Sequence, residues 1–183
     1  VNAALRDSAT MPAADRYTGV LYDALAAASL TAVERRWLGG HVLIHSAPFG
    51  PIGALDAIPA YRLGASTSLP GLPPLRRVWA GAVTAALAEA TASFVLDLRS
   101  EAYAALGPVP ADTACAYVRV VSEGPDGAAR ALNHFNNHAK GALVRRLAEE
   151  RPRVGSAAGF LRWADAAGLR ARHGRPGEIE LFS

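Results

Sequence analysis

The chain has 183 residues, 51% apolar and 19% charged, which suits one globular domain and excludes a disordered chain. A single cysteine, Cys115, excludes an intrachain disulfide framework and a thiolate metal site, and no run approaches the roughly 20 apolar residues of a membrane span. The net charge of +3 is unevenly placed: residues 1–129 hold 9 basic and 11 acidic side chains, and residues 130–183 hold 10 and 5.

No signal peptide is visible, so a cytoplasmic protein is expected. Residues 1–15, with Pro12, read as an irregular lead-in or a short helix. Gly19 then breaks a mostly helical stretch, Asp15 to Leu25. Residues 30–38 read as a helix capped by Thr31 and stopped by Gly39-Gly40. The short apolar run at 41–46 suits a central strand buried on both faces. His41 and His45, four apart in a strand, do not share a face as helical ligands do, so ordinary polar packing is expected for them.

From Ala47 to Leu75 the chain reads as one long Pro- and Gly-rich loop, whose Phe, Tyr, Ile and Leu residues argue for a functional segment rather than disorder. Residues 75–90 read as a helix with Val78, Trp79, Val83 and Leu87 inward, and 93–98 as a second buried strand. A third strand at 114–121 is expected to bury Cys115 and to return through Gly124-Pro125-Asp126-Gly127 as a hairpin to 128–134. Residues 156–167 form another helix, and 169–182 a terminal hairpin around Gly174 to Gly177. The fold class is therefore α/β (mixed α+β): one domain, 1–183, with a central mixed sheet flanked by helices.

The stretch 130–150 organises the chain. A polar knot, Asn133 to His138, runs into a helix with Ala139, Leu143 and Leu147 at four-residue spacing, stopping near Pro152. Asn136 or Asn137 suits its N-cap. Lys140 falls in the first turn beside Gly141, and it is the one lysine in a chain whose other basic residues are all arginine. A lone lysine marks a position suited to a compact ammonium rather than a planar fork, and an ammonium near a helix N-terminus favours anions. Polar clusters also sit at Ser46 to Asp56, at Asp97 to Tyr103 and at His134 to Lys140, each at the end of an expected strand, which points to one shared cleft.

These segments together resemble the YaaA family of peroxide stress proteins, in its high-GC actinobacterial branch. The resemblance is carried by Arg16-Tyr17-Thr18-Gly19, by Ser46-Ala47-Pro48-Phe49-Gly50 through Asp56 to Tyr61-Arg62-Leu63, and by Leu72 to Trp79. Asp97-Leu98-Arg99-Ser100-Glu101-Ala102-Tyr103 and His134-Phe135-Asn136 with Lys140-Gly141 complete it. The order and spacing hold over essentially the whole chain. The chain opens near the middle of the family pattern, without its N-terminal strand and Pro-Ser-Glu-Gly-Lys-like segment, and Asn137 stands where the family usually has a lysine. The resemblance implies a cytoplasmic protein of the oxidative stress response with a mixed α/β fold and DNA binding.

Two functional readings follow. In the first, Arg145, Arg146, Arg151 and Arg153 hold backbone phosphates of nucleic acid without regard to sequence. In the second, an enzyme takes a small anionic or nucleobase-like ligand in a cleft around Lys140, Arg62 and Arg99. Lys140, Ser100 and His134 are then the catalytic candidates. Arg16, Tyr17, Ser46, Phe49, Gly50, Asp56, Tyr61, Arg62, Asp97, Arg99, Tyr103, Asn136 and Gly141 are the ligand-binding ones. No metal-spaced cluster or nucleotide-binding glycine fingerprint is present, and the sequence names no cofactor. No membrane partner is expected, while a sheet edge left open would favour pairing with a second copy.

Overall fold

The computed structural model describes residues 2, 5–90, 92–123, 129–131 and 136–183, with residues 129–131 described in backbone alone. The described elements begin with β1 (Met11–Pro12), α1 (Ala13–Arg16), α2 (Val20–Leu25), a 3-10 turn (Ala27–Ser29) and α3 (Ala32–His41). There follow β2 (Leu43–Ser46), β3 (Gly50–Gly53), β4 (Ala57–Ile58), α4 (Leu75–Glu89), β5 (Val95–Asp97) and α5 (Glu101–Ala104). The chain then runs through β6 (Cys115–Glu123), β7 (Ala129–Ala131), α6 (Asn136–Glu150), α7 (Ala157–Ala166), β8 (Ala171–His173) and β9 (Glu178–Phe182). The fold is mixed α/β, as expected. Backbone contacts divide it into two compact units. Unit 1 takes Val1–Thr18, Ala27–Thr91 and Arg99–Pro110, and unit 2 takes Gly19–Ala26, Ala92–Leu98 and Ala111–Ser183.

In unit 1, Thr31 caps α3 through a capping box: its hydroxyl accepts from the Glu34 amide, and the Glu34 carboxylate accepts from the Thr31 amide at 2.7 Å. The helix runs through Gly39-Gly40, the expected stop, to His41. Gly39 serves instead as a point of close approach, since a Cβ there would meet Leu55 Cδ1 at 2.8 Å. β2 pairs antiparallel with β3 in a two-stranded ribbon and is not the central strand expected; Ile44 and Ser46 are buried, whereas Leu43 is 47% exposed. β3 and β4 also shorten the expected long loop, and β4 pairs antiparallel with β1. In α4, Leu75, Trp79 and Val83 share one face at four-residue spacing, and Val78 falls beside it, 49% exposed rather than inward. Leu75 packs with Ala47 and Leu106, joined by Trp79 and Tyr103, and the Trp79 indole donates to the Ala47 carbonyl at 2.9 Å.

Unit 2 holds a five-stranded mixed sheet of order β5-β6-β9-β8, with β7 also on β6. β6 runs parallel to β5 and β9 and antiparallel to β7, and β8 and β9 form the expected terminal hairpin. β5, expected as a buried strand, lies at the sheet edge with Asp97 buried and Val95 and Leu96 partly buried. Ala116, Val118 and Val120 of β6 alternate into a core with Ile179, Leu181, Leu143, Phe160 and Ala164. Cys115 is out of phase with that alternation and is exposed, not buried. α6 begins at Asn136, so Asn136 and Asn137 lie in its first turn rather than at the cap. It ends at Glu150, where Arg151 turns the chain with φ +51° before Pro152. The Gly124 to Gly127 turn and the residues just before α6 lie outside the described residues. Among the described residues no helix is long and apolar enough to cross a membrane.

The short α2 packs against α6 in unit 2. Gly141 makes this possible, because a Cβ there would come within 2.0 Å of the Leu21 carbonyl oxygen. The Arg145 guanidinium donates to the Leu25 carbonyl at 3.1 Å, satisfying one of the orphan groups at the end of α2. Gly141→Ala gains about 1 kcal/mol of helix propensity yet forces backbone apart, so a net loss of about 1–3 kcal/mol is expected by urea denaturation.

Candidate functional site

The residues singled out from the sequence fall in both units. Unit 1 holds Arg16, Tyr17, Ser46, Phe49, Gly50, Asp56, Tyr61, Arg62, Arg99, Ser100 and Tyr103; unit 2 holds Asp97, Asn136, Lys140, Gly141, Arg145, Arg146, Arg151 and Arg153. His134 lies outside the described residues. Among the described residues the buried polar or charged side chains are Ser46, Asp97 and Lys140, all three of them named from the sequence. Burying a polar group is costly unless it is partnered, so these positions mark where the fold has invested in chemistry or in a specific contact.

In unit 1 the end of β2 gathers four of the candidates. The Ser46 hydroxyl lies 3.0 Å from the Tyr61 hydroxyl and accepts from the Phe49 amide at 3.3 Å. The Tyr61 hydroxyl lies 2.5 Å from that of Tyr17. Three hydroxyls thus form a chain running from the fully buried Ser46, with Phe49 and Tyr17 both edge-on to the Tyr61 ring. The turn before β3 closes the group: Gly50, at φ +73°, lies against the Trp79 ring, which a Cβ would approach to 3.3 Å.

A second set adjoins β2 through His45. Arg99 Nη1 lies 3.2 Å from His45 Nδ1 and donates to the Gly107 carbonyl at 2.9 Å, and the His45 and Tyr103 rings are 5.5 Å apart. Burial, and then the neighbouring Tyr61, push the Tyr103 phenol above its ordinary range. His45 was expected to do no more than pack. Its strand position says nothing of Arg99, which arrives from 54 residues away.

Other unit 1 candidates have local roles. The Asp56 carboxylate accepts from the Gly53 amide at 2.8 Å and closes a turn. Arg62 is held through its backbone by the Asn2 side chain, and its own side chain is exposed. The Arg16 guanidinium donates to the Ala9 carbonyl at 2.7 Å. Ser100 is the exposed N-cap residue of α5 and makes no side-chain cap bond.

In unit 2, Lys140 is 1% exposed and its ammonium stands 5.1 Å from the centre of the Tyr117 ring. A desolvated cation–π contact contributes about 2 kcal/mol, a partial offset to burying the charge. Tyr117 sits opposite Asp97 in the parallel β5–β6 register, so the buried acid and the ring neighbour one another along the sheet. Tyr117 was read only as a strand residue; its place over Lys140 depends on how α6 crosses β6.

The arginines divide by what they hold. Arg145 pairs with Glu149 at 2.8 Å as well as capping α2, so it is a structural cation. Arg146 pairs with Glu150, which also accepts from the Trp163 indole at 2.8 Å. Arg170 and Arg172 pair with Glu123 and Glu180, and both guanidiniums stand 4.9 Å from the Phe182 ring. Two surface hollows share Leu169 and Phe182, one lined also by Asp165, Arg170 and Arg172 and the other by His138, Arg146 and Leu181. Arg151, Arg153, Arg162 and Arg175 are exposed and have no ion pair among the described residues. No three His, Cys, Asp or Glu side chains gather as a metal would need, again among the described residues.

The model of the family described as peroxide stress protein YaaA matches residues 1–172, and the chain belongs to that family. A UPF0246 protein of Corynebacterium efficiens is 44% identical over 162 residues, which cover 86% of this chain and 62% of the relative. One from Corynebacterium glutamicum is 43% identical over 174 residues, covering 92% and 67%, and one from Streptomyces coelicolor is 40% identical over 151 residues, covering 80% and 56%. The chain thus spans between about half and two thirds of the length of these relatives.

The raised Tyr103 phenol has a measurable consequence. Its proton is held more tightly in the folded state, so its contribution is fully present below the unfolded value near 10 and is lost as pH rises through the folded one. Urea midpoints should therefore fall more steeply between pH 9 and about 11 in the wild type than in Tyr103→Phe.

Proposed function

We propose that this YaaA-family chain serves the peroxide stress response by holding nucleic acid, independently of sequence, in the basic groove around Phe182. One observation carries the reading. Arg170 and Arg172, with Asp165, line one surface hollow and His138 and Arg146 a second, and the Phe182 ring borders both. The three arginines are paired with carboxylates, but their side chains are 47%, 67% and 53% exposed. Exposed pairs of this kind contribute only about 0–1 kcal/mol each, so a row of phosphates can exchange for them. Arg151, Arg153, Arg162 and Arg175 extend the same unit's positive surface. Two guanidiniums already engage Phe182, which favours phosphate contact over base stacking there, and with it indifference to sequence.

A second reading is favoured by the convergence of Tyr17, Ser46, Phe49 and Tyr61 in unit 1 and by the burial of Lys140 and Asp97 in unit 2. It makes the family's signature residues the lining of small-ligand sites and leaves the arginine surface as a solvated face.

Titrating salt against binding to a short duplex of arbitrary sequence separates the two. Wild type should lose affinity steeply as salt rises, and Arg170→Ala/Arg172→Ala should reduce the slope of log K against log salt by about 2. Arg145→Ala should lower stability and leave that slope unchanged. Absent or salt-insensitive binding by the wild type overturns the groove assignment.

A further inference from the structure

Arg170 and Arg172 line one hollow beside Phe182, and neither guanidinium is bare. They stand over the same ring, each 4.9 Å from its centre. Arg170 donates through Nη2 to Glu123 at 2.5 Å, and Arg172 through Nε to Glu180 at 2.7 Å. The two acids come from two other strands: Glu123 ends β6, and Glu180 lies opposite Arg172 in the β8–β9 ladder. Glu123 feels both cations. The hydrogen bond from Arg170, with the charges of Arg170 and Arg172, holds its carboxyl below the ordinary carboxylate range. Asp165 lines the same hollow, so three carboxylates stand about two guanidiniums.

These partners bear on which anion the hollow accepts. A phosphate ion that takes one arginine leaves a carboxylate unpaired beside a new negative charge, and like charges at contact distance repel. It also brings no condensed counterions to release. A polyanion differs on both counts. Its docking frees counterions, and once one phosphate is held its neighbours meet the other exposed arginines of the unit at high effective concentration.

We propose that Glu123 and Glu180 are the specificity-determining residues of this surface: they hold the guanidiniums of Arg170 and Arg172, refuse single small anions and yield to a polyanion. The inference rests on the nucleic-acid reading of the same surface, and it adds to that reading the residues that choose among anions.

The Nε–Hε correlations of nitrogen-labelled arginine read the two cations directly, with Arg170→Lys and Arg172→Lys identifying their signals. In the wild type, millimolar inorganic phosphate should leave both signals in place. The Arg170 signal in Glu123→Gln, and the Arg172 signal in Glu180→Gln, should shift saturably with phosphate, because glutamine keeps the size of the side chain and removes its charge. On a short duplex at low salt, each of these variants should bind about two- to fivefold more tightly than the wild type. Asp112→Asn, which removes an exposed acid of the same unit outside these pairs, should bind as the wild type does. Phosphate shifts as large in the wild type as in the variants, or none in the variants, overturn the selection by carboxylates. Duplex binding strengthened as much by Asp112→Asn as by Glu123→Gln and Glu180→Gln overturns it too, leaving bulk charge as the cause. If no form binds the duplex while phosphate still separates variants from wild type, the nucleic-acid reading falls together with the polyanion as partner, and the refusal of small anions stands.

Discussion

Strand β6 is the constraint on which unit 2 depends. Its nine residues, Cys115–Glu123, pair with β5, β7 and β9, so three separate stretches of chain take their register from one strand. The alternation of Ala116, Val118 and Val120 fixes which residues face the core, and a one-residue slip would turn all of them out. That same phase exposes Cys115 and sets Tyr117 beside Asp97 in the ladder and under the Lys140 ammonium. A buried charge is thereby placed by a strand whose first task is to bury valines.

Unit 1 is organised differently. Its two ribbons are each two strands wide, a size that is marginal in isolation, and side-chain bonds hold them where a wide sheet would use ladders. The Trp79 indole bonded to the Ala47 carbonyl, the Asp56 turn and the hydroxyl chain from Ser46 to Tyr17 connect segments far apart in sequence. Polar atoms in this unit therefore serve cohesion, so that removing one hydroxyl loosens contacts between segments distant in sequence.

Where the relevant physics is local, the sequence was legible. The Thr31 cap, the breaker role of Gly19, the β6 strand, the α6 and α7 helices and the terminal hairpin all follow from periodicity and punctuation within a short window. The failures are of another kind. An apolar run reports that a strand is covered, not how many neighbours it has, so β2 reads as central when it lies in a two-stranded ribbon, and β5 as buried when it lies at an edge. A glycine pair reads as a stop unless one knows that Leu55 lies against Gly39. The family signature located the residues of the unit 1 cluster; it missed His45, because the meaning of that ring comes from Arg99. Nor did a count of arginines separate Arg145, committed to the end of α2, from the arginines of the groove.

The six residues of α2 draw out a consequence in time. A helix of that length does not persist in water, where about 12–15 residues are needed even for marginal order. Its last turn closes at Ala26 in the left-handed region, and it leans on a glycine and an arginine that both belong to α6. Its order is therefore borrowed. α6 must already be wound before Val20–Leu25 has a surface to dock on, although the docking segment leaves the ribosome more than a hundred residues earlier. This stretch waits for its partner while more than a hundred further residues are made, which makes it among the last parts of unit 2 to settle and among the first to come undone.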